Sequence, residues 1–191
     1  MHSNGQSNRK NNYIIVKLEK RKECKMNISL KRKLEMKLKE TISKIVLFFL
    51  YRGINIVKKV DEEVLKEIAL WNENIIIKIA TYENGPSLII KKQQDKIIRI
   101  KEANKYDIEI IFKSLDAAFL VLTAREGISK AYAEHRFILK GDITKAMSLV
   151  RCIDIVETYL FPKVIAKNLV KTIKKIKISK LVTYLRVIVN Y

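Results

Sequence analysis

The chain has 191 residues, 48% of them hydrophobic, and a formal net charge of +19. That length holds one domain with an extension, and the apolar content is ample for a core. Five Gly and two Pro exclude a loop-dominated chain.

The charge attracts nucleic acid, anionic lipid headgroups or acidic proteins. Its 39 basic residues are 30 Lys and 9 Arg, and Ile is also frequent. Coding sequence rich in A and T would favour the same residues without selection for binding, so both readings of the charge stay open. Cys24 and Cys152 stand far apart, one in a charged segment and one in an apolar stretch. A disulfide framework is therefore not expected, and a reducing cytoplasm fits. The N-terminus is polar through Asn12 and shows no secretory signal. The longest apolar run, Ile45 to Tyr51, is too short to span a bilayer, and Arg52 and Gly53 interrupt it. The expectation is a cytoplasmic protein, soluble or peripheral on a membrane.

In chain order, residues 1–25 read as a basic disordered tail, with a brief strand or frayed turn at Tyr13 to Leu18. Residues 26–60 read as a basic amphipathic helical extension. There Leu30, Leu34, Leu38, Ile42, Ile45 and Phe49 recur at three- and four-residue spacing, and Lys31, Arg32, Lys33, Lys37 and Lys39 cover the other face. Gly53 marks its expected end. Residues 61–191 read as the domain proper. Asp61 caps a helix that runs to about Trp71, with Glu62 and Glu63 placed where the helix dipole favours acids. Four short strands follow at Ile75–Glu83, Ser87–Lys92, Ile97–Glu102 and Ile108–Lys113. Their tight connections predict an antiparallel meander.

Ser114 can cap a helix on which Leu115, Ala118, Phe119 and Leu122 share a stripe, and Gly127 can end it. Phe137 to Lys140 is a fifth strand. Gly141 and Asp142 supply a turn and a cap for a long helix that carries Ile143, Met147, Val150 and Val156 inward. Pro162 breaks that helix. Lys163 to Ile176 resumes a stripe at Ile165, Leu169, Ile173 and Ile176, and the tail from Ile178 suits either a helix or a strand.

Chemistry is sparse. There is no dinucleotide fingerprint, phosphate loop or paired-histidine metal motif, so neither cofactor nor metal is expected. His2 sits in a tail, and His135 stands at an element boundary where a structural role suffices. Cys152 has no base near it in sequence and behaves as a small hydrophobe. Asp61, Glu62 and Glu63 are explained by the helix start. No catalytic residue emerges, and a non-enzymatic protein is expected. The two helices after the strands carry more apolar residues than one stripe needs: Leu120 and Val121 on the first, Ile153 and Ile155 on the second. Such an excess means deeper burial or a cavity wall.

The ordered set Ile108–Ser114, Asp116–Ala118, Phe137–Asp142 and Leu160–Pro162 resembles the sterol carrier protein family, over roughly Asp61 to Ile176. The resemblance implies an α+β fold. A five-stranded, mostly antiparallel sheet would be covered by helices enclosing an apolar cavity, with the N-terminal helix as an extension. It also implies binding of sterols, fatty acyl chains or phospholipids. Peroxisomal members end in Ser-Lys-Leu, whereas this chain ends in Val189, Asn190 and Tyr191. Under this resemblance the expected cavity lining is Phe112, Phe119, Leu122, Ile128, Tyr132, Phe137, Met147, Val150 and Ile153. Met147 would adapt to ligand shape and Tyr132 would orient a polar head.

The expected function is therefore carriage of a lipid or fatty acyl ligand. The basic N-terminal helix either docks on its own domain with a solvated Lys face or attaches to an anionic membrane. Eight basic side chains after Glu157, the last acid, extend the second option to the C-terminal helix. Two other classes stay in view. A nucleic-acid-associated protein rests on charge alone and lacks the surface aromatics of an RNA-recognition sheet. A structural or assembly module would pair its helices with another protein.

Overall fold

A computed structural model describes residues 4–161 of the chain, with side chains from residue 28. The expected break at Pro162, the helix from Lys163 to Ile176 and the tail beyond it lie outside the described residues. The chain divides into two compact units, Met1–Leu38 and Lys39–Tyr191.

Helix α1 (Asn4–Val57) runs for 54 residues. It replaces the expected disordered tail and the strand at Tyr13–Leu18 with one continuous element. The sequence explains why: no Gly or Pro occurs between Gln6 and Arg52, and Lys, Leu, Glu and Met are strong helix formers. The helix also passes through Gly53. Its core-facing side is Ser43, Leu47, Leu50, Ile54 and Val57, at alternating spacings of four and three. The apolar stripe read from the spacing is largely exposed, with Leu30, Leu34, Leu38 and Ile45 all at least half accessible. Residues 45–50 are apolar all round, so periodicity cannot choose a face there. The face that continues to Ile54 and Val57 is the one that meets the sheet.

Leu47, Leu50, Ile54 and Val57 belong to the main hydrophobic cluster. The region expected as an extension outside the domain thus supplies part of its core from Lys39 onward. Asn55 Nδ2 donates to Ile97 O at 3.0 Å, and Lys58 Nζ donates to Asp95 O, fixing this part of α1 to the sheet.

Helix α2 (Glu62–Ala69) starts at Asp61, whose carboxylate accepts from Glu63 N at 2.9 Å. Strands β1 (Ile76–Ala80), β2 (Ser87–Gln93), β3 (Lys96–Ile100), β4 (Ile108–Phe112) and β5 (Phe137–Gly141) form one sheet in the order β3-β2-β1-β4-β5. All ladders are antiparallel except β1–β4, which is parallel. The first three strands form the expected meander, and the fourth departs from it by crossing back to β1.

Strands β3 and β4 run in the same direction on either side of β2 and β1, and a crossover between parallel strands ordinarily takes about a dozen residues, yet the connector 101–107 has seven. It suffices because Ile100, Ile89, Lys78 and Glu109 lie level across the register. The chain has only to move sideways over three strand spacings, about 14 Å. It crosses on the side of Lys78, whose ammonium lies 4.8 Å from the Tyr106 ring centre. Asp107 then locks onto β1: its N–H donates to Ile76 O at 2.9 Å and its carboxylate accepts from Ile76 N at 2.8 Å.

Helices α3 (Leu115–Leu122), α4 (Ile128–Ala133) and α5 (Ile143–Leu160) complete the α+β fold. Ser114 caps α3 through Ala117 N, and Asp142 caps α5 through Thr144 N and Lys145 N. Gly127 opens α4, with an ordinary negative φ, rather than closing α3. Ala124, at φ 59°, makes the left-handed turn after α3. Helix α5 locks onto α2 by polar contacts. Arg151 donates twice to the Glu67 carboxylate at 2.6 and 2.9 Å, Trp71 Nε1 donates to Ser148 Oγ at 3.0 Å, and Ser148 Oγ donates to Glu67 O at 2.8 Å. Tyr159 OH donates to Asp61 at 2.7 Å. Among the described residues no helix is long and apolar enough to cross a membrane.

Candidate functional site

The β4–β5 register sets one wall of a pocket. Phe112 pairs with Phe137 and Ile110 with Leu139, so alternation sends all four side chains to the same face. The chain then turns at Gly141, where φ is 107° and an added Cβ would come within 2.0 Å of Asp107 O. Only glycine fits that approach. The turn and the Asp142 cap aim α5 back across the sheet. Ile143, Ala146, Met147 and Val150, spaced i, i+3, i+4 and i+7, then face the β4–β5 wall as one stripe.

Helix α4 supplies the third side. It is held by Glu126, a buried carboxylate 3.2 Å from Arg136 Nε and 3.7 Å from Lys130 Nζ. His135 at φ 54° makes the sharp turn into β5. These constraints place Ile128, Ser129 and Tyr132 over the sheet edge, with the Tyr132 and Phe137 ring centres 5.6 Å apart.

The resulting pocket has about 80 Å³ of free volume, and its lining is Ile110, Ile128, Ser129, Tyr132, Phe137, Leu139, Ile143, Ala146, Met147 and Val150. A single water needs about 10–15 Å³ by this measure, so the space admits a short apolar segment. Ile110, Ile128, Phe137, Ala146 and Val150 are buried at its base, whereas Tyr132, Ile143 and Met147 are more than 40% exposed at its mouth. Among the described residues of the lining, Tyr132 is the only titratable side chain. Attraction for a ligand would come from apolar burial, at about 25 cal/mol per Å².

Of the residues expected to line a cavity, Ile128, Tyr132, Phe137, Met147 and Val150 come together here. Phe112, Leu122 and Ile153 are buried and are not among the described residues that line the pocket. Phe112 stacks edge-on against Phe137 with ring centres 5.4 Å apart. Phe119 is half-buried beneath the Arg125 guanidinium. The reading by residue type missed Ile110, Ser129, Leu139, Ile143 and Ala146. Period-two alternation along β4 and β5 and the i, i+3 step from Ile143 were the signals that could have found most of them.

Other chemistry-bearing groups have structural roles. Asp61 serves both the α2 start and Tyr159. Cys152 is buried, and burial, followed by the charges of Glu67 and Asp61, pushes its thiol up to about 12. Among the described residues no group of three or more His, Cys, Asp or Glu side chains is placed to hold a metal.

No family model matches the chain, and no curated protein matches it. Solved structures do. One is a UbiJ-SCP2 ubiquinone synthesis protein, at 13% identity over 65% of this chain and 97% of that one, with a TM-score of 0.35. Another is sterol carrier protein 2 from Yarrowia lipolytica in its apo form, at 14% identity over 60% of this chain and 91% of that one, TM-score 0.42. A third is sterol carrier protein 2 like 2 from Aedes aegypti, at 16% identity over 50% and 97%, TM-score 0.31.

Proposed function

We propose that this protein binds a lipid or other hydrophobic ligand, without catalysis, in the apolar pocket between β4–β5 and helices α4 and α5. The observation that carries the reading is the lining itself. Of the ten described residues in it, eight are aliphatic or aromatic without a polar group, and the two hydroxyls among them, on Ser129 and Tyr132, belong to α4. Such a surface holds chains and rings and offers nothing to activate them. The likeness to the sterol carrier protein family on the Ile108–Pro162 residues points the same way. A ligand longer than the pocket would leave it past Tyr132, Ile143 and Met147.

The membrane forms part of the proposal. A chain with net charge +19 is drawn to anionic lipid, where its ligand would also be found. Binding would use the basic segments toward both ends of the chain and need no cofactor.

Native mass spectrometry of the full chain, with extraction and identification of co-purified lipid, tests the proposal. The expected result is a bound species that organic extraction removes. A chain that carries nothing, and takes up no fluorescent fatty acid at any concentration, overturns it.

A further inference from the structure

Within the unit Met1–Leu38, α1 presents large apolar side chains that are more than half exposed. Leu30 is 53% exposed, Leu34 67% and Leu38 62%, at spacings of four, so they share one side of the helix. Exposed apolar surface of this kind marks a contact site. Lys31, Arg32, Lys33 and Lys37 are interleaved with it. The unit as a whole carries eleven Lys or Arg against three Glu, a net charge of +8.

We infer that the 28–38 segment of α1 is a membrane-contact face: it seats Leu30, Leu34 and Leu38 among the acyl chains of an anionic lipid surface while its lysines engage the headgroups. This rests on the membrane part of the proposed function and names the surface that carries it.

A second copy of the chain is the competing occupant, and two observations disfavour it. A coiled-coil seam needs apolar residues at alternating spacings of four and three. Continuing the Leu30–Leu34 seam in that register places Lys37, Thr41 and Lys44 in it. Pairing would also bring two units of net charge +8 side by side, a repulsion that an anionic surface turns into attraction. An amphipathic helix lying in a bilayer interface tolerates the drift of a four-residue spacing, because the interface has no holes to match.

The test compares the full chain with two variants, using vesicles of phosphatidylcholine with and without phosphatidylserine. The first variant is Leu30→Gln, Leu34→Gln and Leu38→Gln, which keeps good helix formers at exposed sites. The second is Lys31→Glu with Lys33→Glu. Trp71 fluorescence checks that each variant is folded.

Co-sedimentation of the parent with the phosphatidylserine vesicles is expected. The leucine variant should lose at least about tenfold of that affinity at every salt concentration, since insertion scales with apolar area. The lysine variant should lose about tenfold or more at low salt, and the difference should shrink as salt rises. If the leucine variant binds like the parent while the lysine variant does not, the inference falls and the membrane reading stands. If the parent binds no vesicle, both fall. If the parent self-associates through this face and the leucine variant does not, with no vesicle binding by either, the second copy is the occupant and the inference is overturned.

Discussion

Gly53 on α1 lies so close to Val156 on α5 that an added Cβ would sit 2.8 Å from Val156 Cγ1 and 3.0 Å from Leu160 Cδ1. The glycine ordinarily read as a helix end is here a contact point between two helices. Gly53→Leu should therefore wedge α1 off α5 and cost about 1–3 kcal/mol through overpacking. Urea denaturation followed by Trp71 fluorescence measures this. A midpoint at or above the parent's would show that the helices separate freely at this point.

The same crossing makes part of α1 indispensable. A chain beginning at Lys39 keeps Leu47, Leu50, Ile54 and Val57, all nearly inaccessible, and should unfold cooperatively at a midpoint close to the parent's. A chain beginning at Ile54 loses Leu47 and Leu50, each worth about 2–5 kcal/mol as a large-to-small core loss. It should show no cooperative transition. Circular dichroism melting of the two truncations separates them. A cooperative melt from the shorter chain would mean that the sheet and the later helices hold themselves together.

Burial raises the Asp154 carboxyl from its ordinary 3.8 to about 6. Glu157, one turn on, is raised well above its ordinary value by burial first and then by the Asp154 charge. The native state therefore keeps a proton that the unfolded chain has already released. The resulting stability is complete below about pH 4 and is lost as pH rises through about 6. Asp154→Asn removes the ionisable group. Denaturation midpoints of variant and parent should coincide near pH 4 and diverge as pH rises, with the variant about 2 kcal/mol more stable above pH 7. A difference that is constant with pH would show that Asp154 titrates alike in both states.

Pocket occupancy should depend on the residues that meet there. Val150→Asp places an unpaired charge at the base, and Met147→Trp fills the mouth from a partly exposed position that tolerates bulk. Each should reduce uptake of a fluorescent fatty acid at least about tenfold, since about 1.4 kcal/mol is a factor of ten. Met147→Trp should melt like the parent, which separates blocking from unfolding. Phe119→Ala, off the pocket beneath Arg125, should leave uptake unchanged. Equal loss in all three would indicate a general softening of the fold and no pocket.

Local signals in the sequence were legible because local chemistry decides them. Asp61, Ser114 and Asp142 cap the helices they precede, and all five strands stand where alternation and turn residues put them. Gly141 has the positive φ that its place between a strand and a cap suggests. Strand order was not legible. Nothing in residues 101–107 says that the chain crosses two strands, because that depends on Ile100 ending level with Glu109 across the sheet. The lining was half legible for a related reason. Sequence says which side chains are apolar, whereas the division between core and pocket depends on how far α5 stands off the sheet. Phe112 and Ile153 are as apolar as Phe137 and Val150, and they fell on the closed side of that line. The width of α1's apolar surface between Ile45 and Leu50 hid its true core face in the same way.

The parallel ladder between β1 and β4 also sets an order of events during folding. Strands β1, β2 and β3 are joined by short turns and can assemble from local contacts alone. Strand β5 reaches β4 only after two helices, and β4 reaches β1 only across the connector that ends at Asp107. The sheet is thus two halves, one quick and one slow, sutured along four residue pairs at its centre. Closing long loops costs entropy before the contacts return it. The β4–β5 half, whose strands are joined through residues 113–136, is therefore expected to become native after the β1–β3 meander, which leaves its apolar wall of Ile110, Phe137 and Leu139 uncovered in the meantime.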